Sequence, residues 1–331
     1  MQLFGPGISL PLMGLRLLVA LPALDEAATV GGVVGAVPRS IPGIDSVDVL
    51  VVDDGSTDAT AAEAASAGAR VVSHGRNRGL GEAFRTALGI ARREGYTVLV
   101  TLDADGQFDP SGIPALLEPV VSGSADLATC SRFIQPSSGM PVVKRLGNRL
   151  VARTVSSLCG VRIHDATCGF RAYGPAALEL LSSFSRFTYT QEALIDLAWK
   201  GLTVREVSLP VKPRREHGRS RISGNLWRYA ALSLGAMYSA SHDHMPWRFY
   251  GLPGMAMILA GICMETFVFV RWLIVSAVTP FKGVAIAGFF LMVLGTLLLI
   301  VASLADTSSH NRHLLEEVIA EAVRKNRRSH G

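Results

Sequence analysis

Asp103-Ala104-Asp105-Gly106-Gln107 sets two carboxylates one residue apart at the end of Thr97–Leu102, a Val- and Leu-rich run that reads as a buried strand. Such a pair can hold one hard divalent cation that keeps waters and completes its shell with phosphate oxygens. Gln107 can add an amide oxygen or orient a water. Two further acidic turns follow other strand-like runs: Pro22-Ala23-Leu24-Asp25-Glu26, and Asp53-Asp54-Gly55-Ser56-Thr57-Asp58. Singly, each reads as a helix cap or turn. Together they outline one rim rich in carboxylates, which capping does not require. A calcium loop of the EF-hand kind is disfavoured, because its twelfth position would be Pro114 rather than Glu. Asn77-Arg78-Gly79-Leu80-Gly81 has Phe84 where a dinucleotide fingerprint needs its third glycine, so it reads as a tight turn opening a helix. His74, His164 and His217 are isolated, and no Ser–His–Asp arrangement is visible.

The elements that must position these residues alternate. Strands are expected at Leu17–Leu21, Val47–Val52, Ala69–Val72, Thr97–Leu102, Asp126–Cys130 and Thr203–Leu209, with helices at Glu26–Val37, Ala59–Ala67, Gly81–Glu94 and Ser111–Val121. Gln191 and Glu192 open a further helix, where they cap it or contact a sugar. This order predicts an α/β fold with a mainly parallel sheet and helices on both faces. Ligands in such sheets bind beyond the carboxyl ends of the strands, where the acidic turns lie.

The chain has 331 residues, 49% apolar and only 18% charged, against roughly 25% charged in ordinary soluble proteins. Its mean hydropathy of +0.34 argues against disorder and against a purely soluble protein. A net charge of +5 gives no reason to expect nucleic acid as a partner, and four cysteines without a C-x-x-C pair exclude a zinc ribbon. Met1–Leu15 lacks the basic start of a signal peptide. The apolar excess lies in two stretches, about 252–278 and 283–304, each long enough for the ~20 residues that a bilayer core requires. Glu265 in the first stretch needs a buried partner on another helix or subunit, unless it is protonated; a homo-oligomer through these helices is one outcome. Arg271 can snorkel toward the interface. Arg and Lys flank the pair on both sides while only Lys282 lies between, so the expected topology is a hairpin with both flanks cytoplasmic. The division expected is 1–240 for a catalytic domain, 241–306 for the spans and 307–331 for a cytoplasmic tail with an amphipathic helix at Ser308–Arg328. Ile222–Tyr238 reads as an interfacial helix or as a helix packed on the catalytic domain.

The runs Pro22…Asp25-Glu26, Val52–Asp58, Asn77-Arg78-Gly79 and Asp103–Gln107 resemble glycosyltransferase family 2 with its GT-A fold. Ser131-Arg132-Phe133, Lys144–Asn148, Asp165–Arg171 and Gly218–Arg221 resemble its polyprenyl-phosphate sugar synthase branch. Cys168 and Arg221 stand where that branch commonly has Ser and Lys. The resemblance implies an inverting transfer of a hexose, mannose or glucose, from a nucleotide sugar (GDP-mannose or UDP-glucose) to a polyprenyl phosphate at the cytoplasmic face. It implies nucleotide contacts from Pro22, Asp25 or Glu26, Asp53 and Asp54. Mg2+ or Mn2+ would sit on Asp103, Asp105 and Gln107. Phosphate contacts would come from Arg132, Arg145 and Arg221 beside Ser220. Arg171 would bind phosphate or tie the acceptor loop to the sheet. A processive polysaccharide synthase would need a Q-x-x-R-W motif, which neither Trp227-Arg228 nor Trp247-Arg248 completes. A D-x-D phosphatase and a catalytically silent scaffold that binds nucleotide sugar are the readings from other classes.

Overall fold

The computed structural model describes residues 14–133, 142–181, 189–212 and 246–329. Ser220 and Arg221, with the stretch Ile222–Tyr238, lie outside the described residues. Contacts divide the chain into Met1–Met237 and Tyr238–Gly331.

In the first unit seven strands form one sheet: β1 (Arg16–Ala23), β2 (Ser46–Asp53), β3 (Arg70–Ser73), β4 (Val98–Thr101), β5 (Leu127–Ser131), β6 (Arg171–Tyr173) and β7 (Val204–Ser208). Their order is β3-β2-β1-β4-β6-β5-β7. All pairings are parallel except those of β6, which runs antiparallel between β4 and β5. The expected α/β architecture is therefore present, with β6 added. Three residues with a central Ala beside Arg171 carry too little apolar pattern to read as a strand.

The helices are α1 (Ala27–Gly35), α2 (Thr60–Ser66), α3 (Leu80–Arg93), α4 (Ile113–Val121), α5 (Val142–Cys159), α6 (Pro175–Leu180) and α7 (Thr190–Trp199). The alternation of the strands sends Leu17, Val19, Val49, Val51, Val98, Val100 and Ala172 into one core with Val30 and Val34 of α1 and Leu116 and Leu117 of α4. The opposite face meets α3, where Phe84 stacks on Tyr189 at 4.1 Å and lies 5.5 Å from Tyr173.

From β1 the chain passes to β2 and β3 on one side and then to β4 on the other, so β1/β4 is the topological switch point. The β1–β4 register runs only from Leu17↔Val98 to Ala20↔Thr101. Beyond it β1 continues through Pro22, which has no N–H to offer a further β4 bond. The β1–β4 pairing ends there, between the Asp25–Glu26 turn and the Asp103–Gln107 loop, where a sheet of this order places its ligand crevice.

The second unit is built on α8 (Leu252–Val275), entered through a π-helical turn at Trp247–Gly251, and α9 (Lys282–Ser329). Trp247–Val275 and Lys282–Asn311 are both long and apolar enough to cross a bilayer. They pack through glycines seven apart. A Cβ on Gly254 would lie 2.8 Å from the Gly295 carbonyl oxygen, and one on Gly261 would lie 2.6 Å from that of Gly288. Such backbone-to-backbone approach is how apolar helices associate where burial of apolar surface drives nothing. Glu265 joins this seam, its Oε1 3.1 Å from the point a Gly288 Cβ would take. Arg271 lies over the Phe281 ring at 5.3 Å. No separate tail helix begins at Ser308: α9 runs on without a break, because Leu304–Ser309 contains neither Gly nor Pro to end it. Gly261→Leu is expected to force the helices apart at a cost of about 1–3 kcal/mol. Thermal unfolding in detergent checks this; an unchanged midpoint would contradict the seam.

Candidate active site

The D-x-D loop is pinned from two sides. Thr29 of α1 donates its hydroxyl to the Ala104 carbonyl at 2.8 Å, and the Gln107 N–H donates to Asp105 Oδ1 at 3.0 Å. Gly106 turns the chain at φ +71°. On its far side the Lys212 N–H donates to the Gln107 carbonyl at 3.0 Å, beside a Phe108↔Val211 bridge. Asp105 is 3% exposed. Gly169 passes so close to Asp103 that a Cβ there would lie 3.0 Å from Oδ1. The loop before β6 thus closes over one of the two carboxylates, and any larger residue at 169 would press on it.

The other acidic turns prove to be builders of the rim. Asp53 accepts the Ser56 N–H at 2.9 Å and the Ser73 hydroxyl at 2.7 Å. Burial pushes its carboxyl up, but these hydrogen bonds outweigh burial and hold it below the usual carboxylate range. Asp54 accepts the N–H groups of Arg78 and Gly79 at 2.9 and 2.8 Å, and His74 Nδ1 lies 2.8 Å from it. His74 Nε2 lies 2.9 Å from the Thr86 hydroxyl, so this histidine ties a loop to α3. Asp25, at φ +46°, accepts the Thr57 N–H at 2.7 Å while its own N–H donates to Ser56. The Glu26 N–H donates to Thr60 Oγ1 at 2.8 Å, and Asp58 accepts from Ala27 and from Thr60. Gly55 is the pivot: its φ is +83°, and any Cβ there would collide with the Arg76 backbone.

Arg132, just beyond β5, is fixed by a buried partner. Its Nε and Nη2 donate to Asp165 at 2.6 and 2.9 Å, and Nη2 also donates to Thr167 Oγ1 at 2.7 Å. Nη1 has no partner among the described residues. Burial disfavours both charges, yet the fork-to-fork pairing outweighs it: the Asp165 carboxyl sits below its usual range and the guanidinium above its own. Asp103 is close enough to contribute to the field on Arg132. Thr167 donates to Asn148 Oδ1 of α5 at 2.7 Å. Behind this pair stands Glu206 of β7, which accepts the N–H groups of His164 at 2.9 Å and Asp165 at 2.8 Å, with His164 Nδ1 at 2.6 Å.

Arg145 is half-buried on the first turn of α5 and has no hydrogen bond to a described residue. Arg171 is fully buried; its guanidinium donates to the Ala166 carbonyl at 3.1 Å and to that of Thr190. It ties the loop before β6 to the start of α7. Gln191 and Glu192 lie on that first turn, with Gln191 buried. The structure thus gathers Pro22, Asp25, Glu26, Asp53, Asp54, Asp103, Asp105 and Gln107 on three neighbouring strand ends, with Arg132 within electrostatic range of Asp103. Thr29, Asn148, Asp165, Thr167 and Glu206 hold them. Asp165 and Asn148 fall in runs that the family resemblance already marked, while Thr29 and Glu206 carry no sequence signal.

Two acidic side chains at one strand end suit a cation whose remaining positions are filled by water and phosphate oxygens. No group of three His, Cys, Asp or Glu that could hold a metal ion lies among the described residues. The donor set fits Mg2+ or Mn2+.

The sheet order and the D-x-D loop at its switch point agree with the GT-A fold that the sequence resemblance implies, and comparison with known proteins shows the family. Residues 18–181 match the model for glycosyl transferase family 2. The polyprenol monophosphomannose synthase of Mycolicibacterium smegmatis is 38% identical over 236 residues, covering 66% of this chain and 85% of that protein. A dolichyl-phosphate hexose transferase of Haloferax volcanii is 30% identical, covering 60% of this chain and 83% of its own. Glucosyl-3-phosphoglycerate synthase of Mycobacterium tuberculosis, solved with Mn2+, UDP-glucose and phosphoglyceric acid, superposes with a TM-score of 0.55 at 25% identity, over 69% of this chain and 80% of that one. The chain belongs to glycosyltransferase family 2. It is a glycosyltransferase.

Glu206→Gln keeps an acceptor oxygen but removes the charge facing two N–H groups and His164. It is expected to lower turnover about tenfold by loosening Arg132, at roughly 1–2 kcal/mol of stability. Steady-state kinetics beside a thermal melt check this; unchanged turnover with a lowered melt would make Glu206 purely structural.

Proposed function

We propose that this enzyme moves one hexose from a nucleoside diphosphate sugar to a polyprenyl phosphate, with inversion, at the cytoplasmic face of a membrane that its C-terminal helices span. The observation that carries the reading is the loop Asp103–Gln107 at the β1/β4 switch point with the Asp165-held Arg132 beside it. The identity to a polyprenol monophosphomannose synthase favours a lipid phosphate as acceptor and mannose as the sugar.

The acceptor phosphate has a second pKa near 6, so at neutral pH it is already a dianion and needs aiming rather than deprotonation. Its oxygen attacks the anomeric carbon as the bond from that carbon to the β-phosphate oxygen breaks, and the nucleoside diphosphate leaves. Negative charge grows on the leaving diphosphate. A bound Mg2+ or Mn2+ on Asp103, Asp105 and Gln107 supplies Lewis-acid stabilisation of that charge. Arg132 presents Nη1 toward phosphate from a fixed fork, and Arg145, uncommitted among the described residues, supplies the second cation. Arg221 and Ser220 would add to the same phosphate site. Pro22, Asp25 and Glu26 line the nucleoside side of the crevice, where Asp53 acts by holding Ser56 and Ser73 and Asp54 by holding the 74–79 turn. Gln191 and Glu192, at the start of α7, are the sugar-facing candidates.

The full chain in lipid, given radiolabelled GDP-mannose or UDP-glucose with polyprenyl phosphate, tests this. Label that extracts into organic solvent, and does so only with Mg2+ or Mn2+ present, supports the reading. Release of inorganic phosphate without lipid labelling would put the D-x-D phosphatase reading in its place.

A further inference from the structure

Phe84, where a dinucleotide fingerprint would need a glycine, has no task in the chemistry above. Its buried ring meets that of Tyr189 almost parallel, with centroids 4.1 Å and planes 7° apart, and the Tyr173 ring lies 5.5 Å away. Two flat rings in such contact fix each other's place more tightly than aliphatic side chains of equal volume. Each end of the stack belongs to one side of the site. Phe84 shares α3 with Thr86, whose hydroxyl lies 2.9 Å from His74 Nε2, and His74 Nδ1 lies 2.8 Å from Asp54. Asp54 also accepts the N–H groups of Arg78 and Gly79, the residues that lead into α3. Helix α3 is thereby fixed to the nucleoside side of the crevice. Tyr189 is the residue from which α7 starts, and its side chain gives the helix no capping hydrogen bond. The first turn, with Gln191 and Glu192, is reached instead by the Tyr189–Phe84 stack and by the Arg171 guanidinium on the Thr190 carbonyl. Burial holds the Tyr189 phenol well above its usual range, and the charge of Asp103 acts in the same direction, so the ring lies within electrostatic range of the D-x-D loop.

We propose that Tyr189 is a positioning residue for the donor sugar: held flat on Phe84, it sets how far the first turn of α7 stands from the nucleoside-holding turn, and so which hexose fits. This rests on the function proposed above, in which that turn of α7 faces the sugar. A displacement of about 1 Å is enough to misplace a reacting carbon. Hexose epimers differ in the direction of one hydroxyl, so the same displacement also erodes the choice between them. Arg171 ties the turn to the Ala166 carbonyl in the loop before β6, and the ring stack ties it to the nucleoside side. The tyrosine hydroxyl has no part in this; the flat ring does. A role in packing alone asks only for apolar volume at 84 and 189, and leaves the sugar preference where it was.

The test uses the full chain in lipid with polyprenyl phosphate and Mn2+, and pairs of donors that share a nucleotide and differ at one sugar hydroxyl: GDP-mannose with GDP-glucose, and UDP-glucose with UDP-galactose. The variants are Tyr189→Phe, Tyr189→Leu, Phe84→Leu and the double Leu variant. Steady-state kinetics, titration of the free diphosphate and a thermal melt are read together. Both single Leu variants are expected to bind the diphosphate within about twofold of the parent, to lose about tenfold in kcat, and to narrow the kcat/KM ratio between the paired sugars at least about fivefold. The double variant should be little worse than either, because both remove one contact. Tyr189→Phe, which keeps the ring, should match the parent. Where Tyr189→Leu does not fold, Phe84→Met is read in its place with the same expectation. A sugar ratio that stays fixed while melt and activity fall overturns the proposal and leaves the stack as packing. So does a loss of diphosphate affinity as large as the loss of turnover, a Tyr189→Phe variant as impaired as Tyr189→Leu, or a parent that uses both sugars of its pair equally; each leaves the proposed function standing. A parent that labels no lipid from any of the four donors overturns the proposed function, and this inference with it.

Discussion

Asp105→Asn is expected to lower hexose transfer about a thousandfold, close to 4 kcal/mol of transition-state stabilisation, while the fold survives. Asparagine keeps the shape of aspartate and an oxygen that can still accept the Gln107 N–H, which in the native chain reaches Asp105 at 3.0 Å. What it lacks is the charge that draws a cation toward the departing diphosphate. Asp103→Asn should act in the same direction, and the double variant should be little worse than either single one, because the two residues work as one unit. Turnover with labelled donor, beside circular dichroism to verify folding, reads the effect. Activity within a few-fold of the parent would remove the D-x-D loop from the mechanism.

Asp165→Ala is expected to be the most destabilising single change in the site. Asp165 is fully buried and takes two nitrogen donors from Arg132. Removing it strands a guanidinium that is only 17% exposed, and breaking a pair with one fully buried member costs about 3 kcal/mol. In a domain of this size that lowers the unfolding midpoint by roughly 10 °C. Pairing Asp165→Leu with Arg132→Met should recover much of the loss, since an apolar pair leaves no unpaired charge, yet activity should stay low because no guanidinium faces the phosphate. The pH dependence has a definite sign. The folded-state pKa of Asp165 lies below the usual value, so its contribution is complete above the unfolded carboxylate pKa near 4. It is lost only as pH falls through the lowered folded-state value. Asp53 is shifted the same way. Acid unfolding of the parent should therefore begin below the ordinary carboxylate range, and that of Asp165→Leu/Arg132→Met should lose part of this dependence. A parent that unfolds near pH 5 would contradict the pairing.

The parallel half of the fold was legible because its strands are short runs of Val and Leu with amphipathic stretches between them. The acidic turns fall together on three neighbouring strand ends for the same reason: they follow those runs at once. Their individual roles were less legible. Asp54 looks like a ligand residue in sequence, and only the folded chain reveals that Arg78 and Gly79, some 25 positions on, donate to it. β6 stayed hidden because three residues around a buried arginine carry no alternating pattern. Glu206 stayed hidden because an acid on an edge strand is ordinarily a solvated one. The hairpin's length was plain from hydropathy, but its glycine seam was not, since Gly254, Gly261, Gly288 and Gly295 gain meaning only when the helices face each other.

The claim on which the account turns is that Asp103 and Asp105 together present a divalent cation to a nucleoside diphosphate. Calorimetric titration of GDP and UDP into the parent and into Asp103→Asn, each with and without Mn2+, tests it most directly. The account predicts that manganese tightens binding of the preferred diphosphate in the parent by at least about tenfold, or 1.4 kcal/mol, and that the variant loses this gain while its metal-free affinity stays the same. Equal manganese enhancement in both chains, or none in the parent, would contradict it.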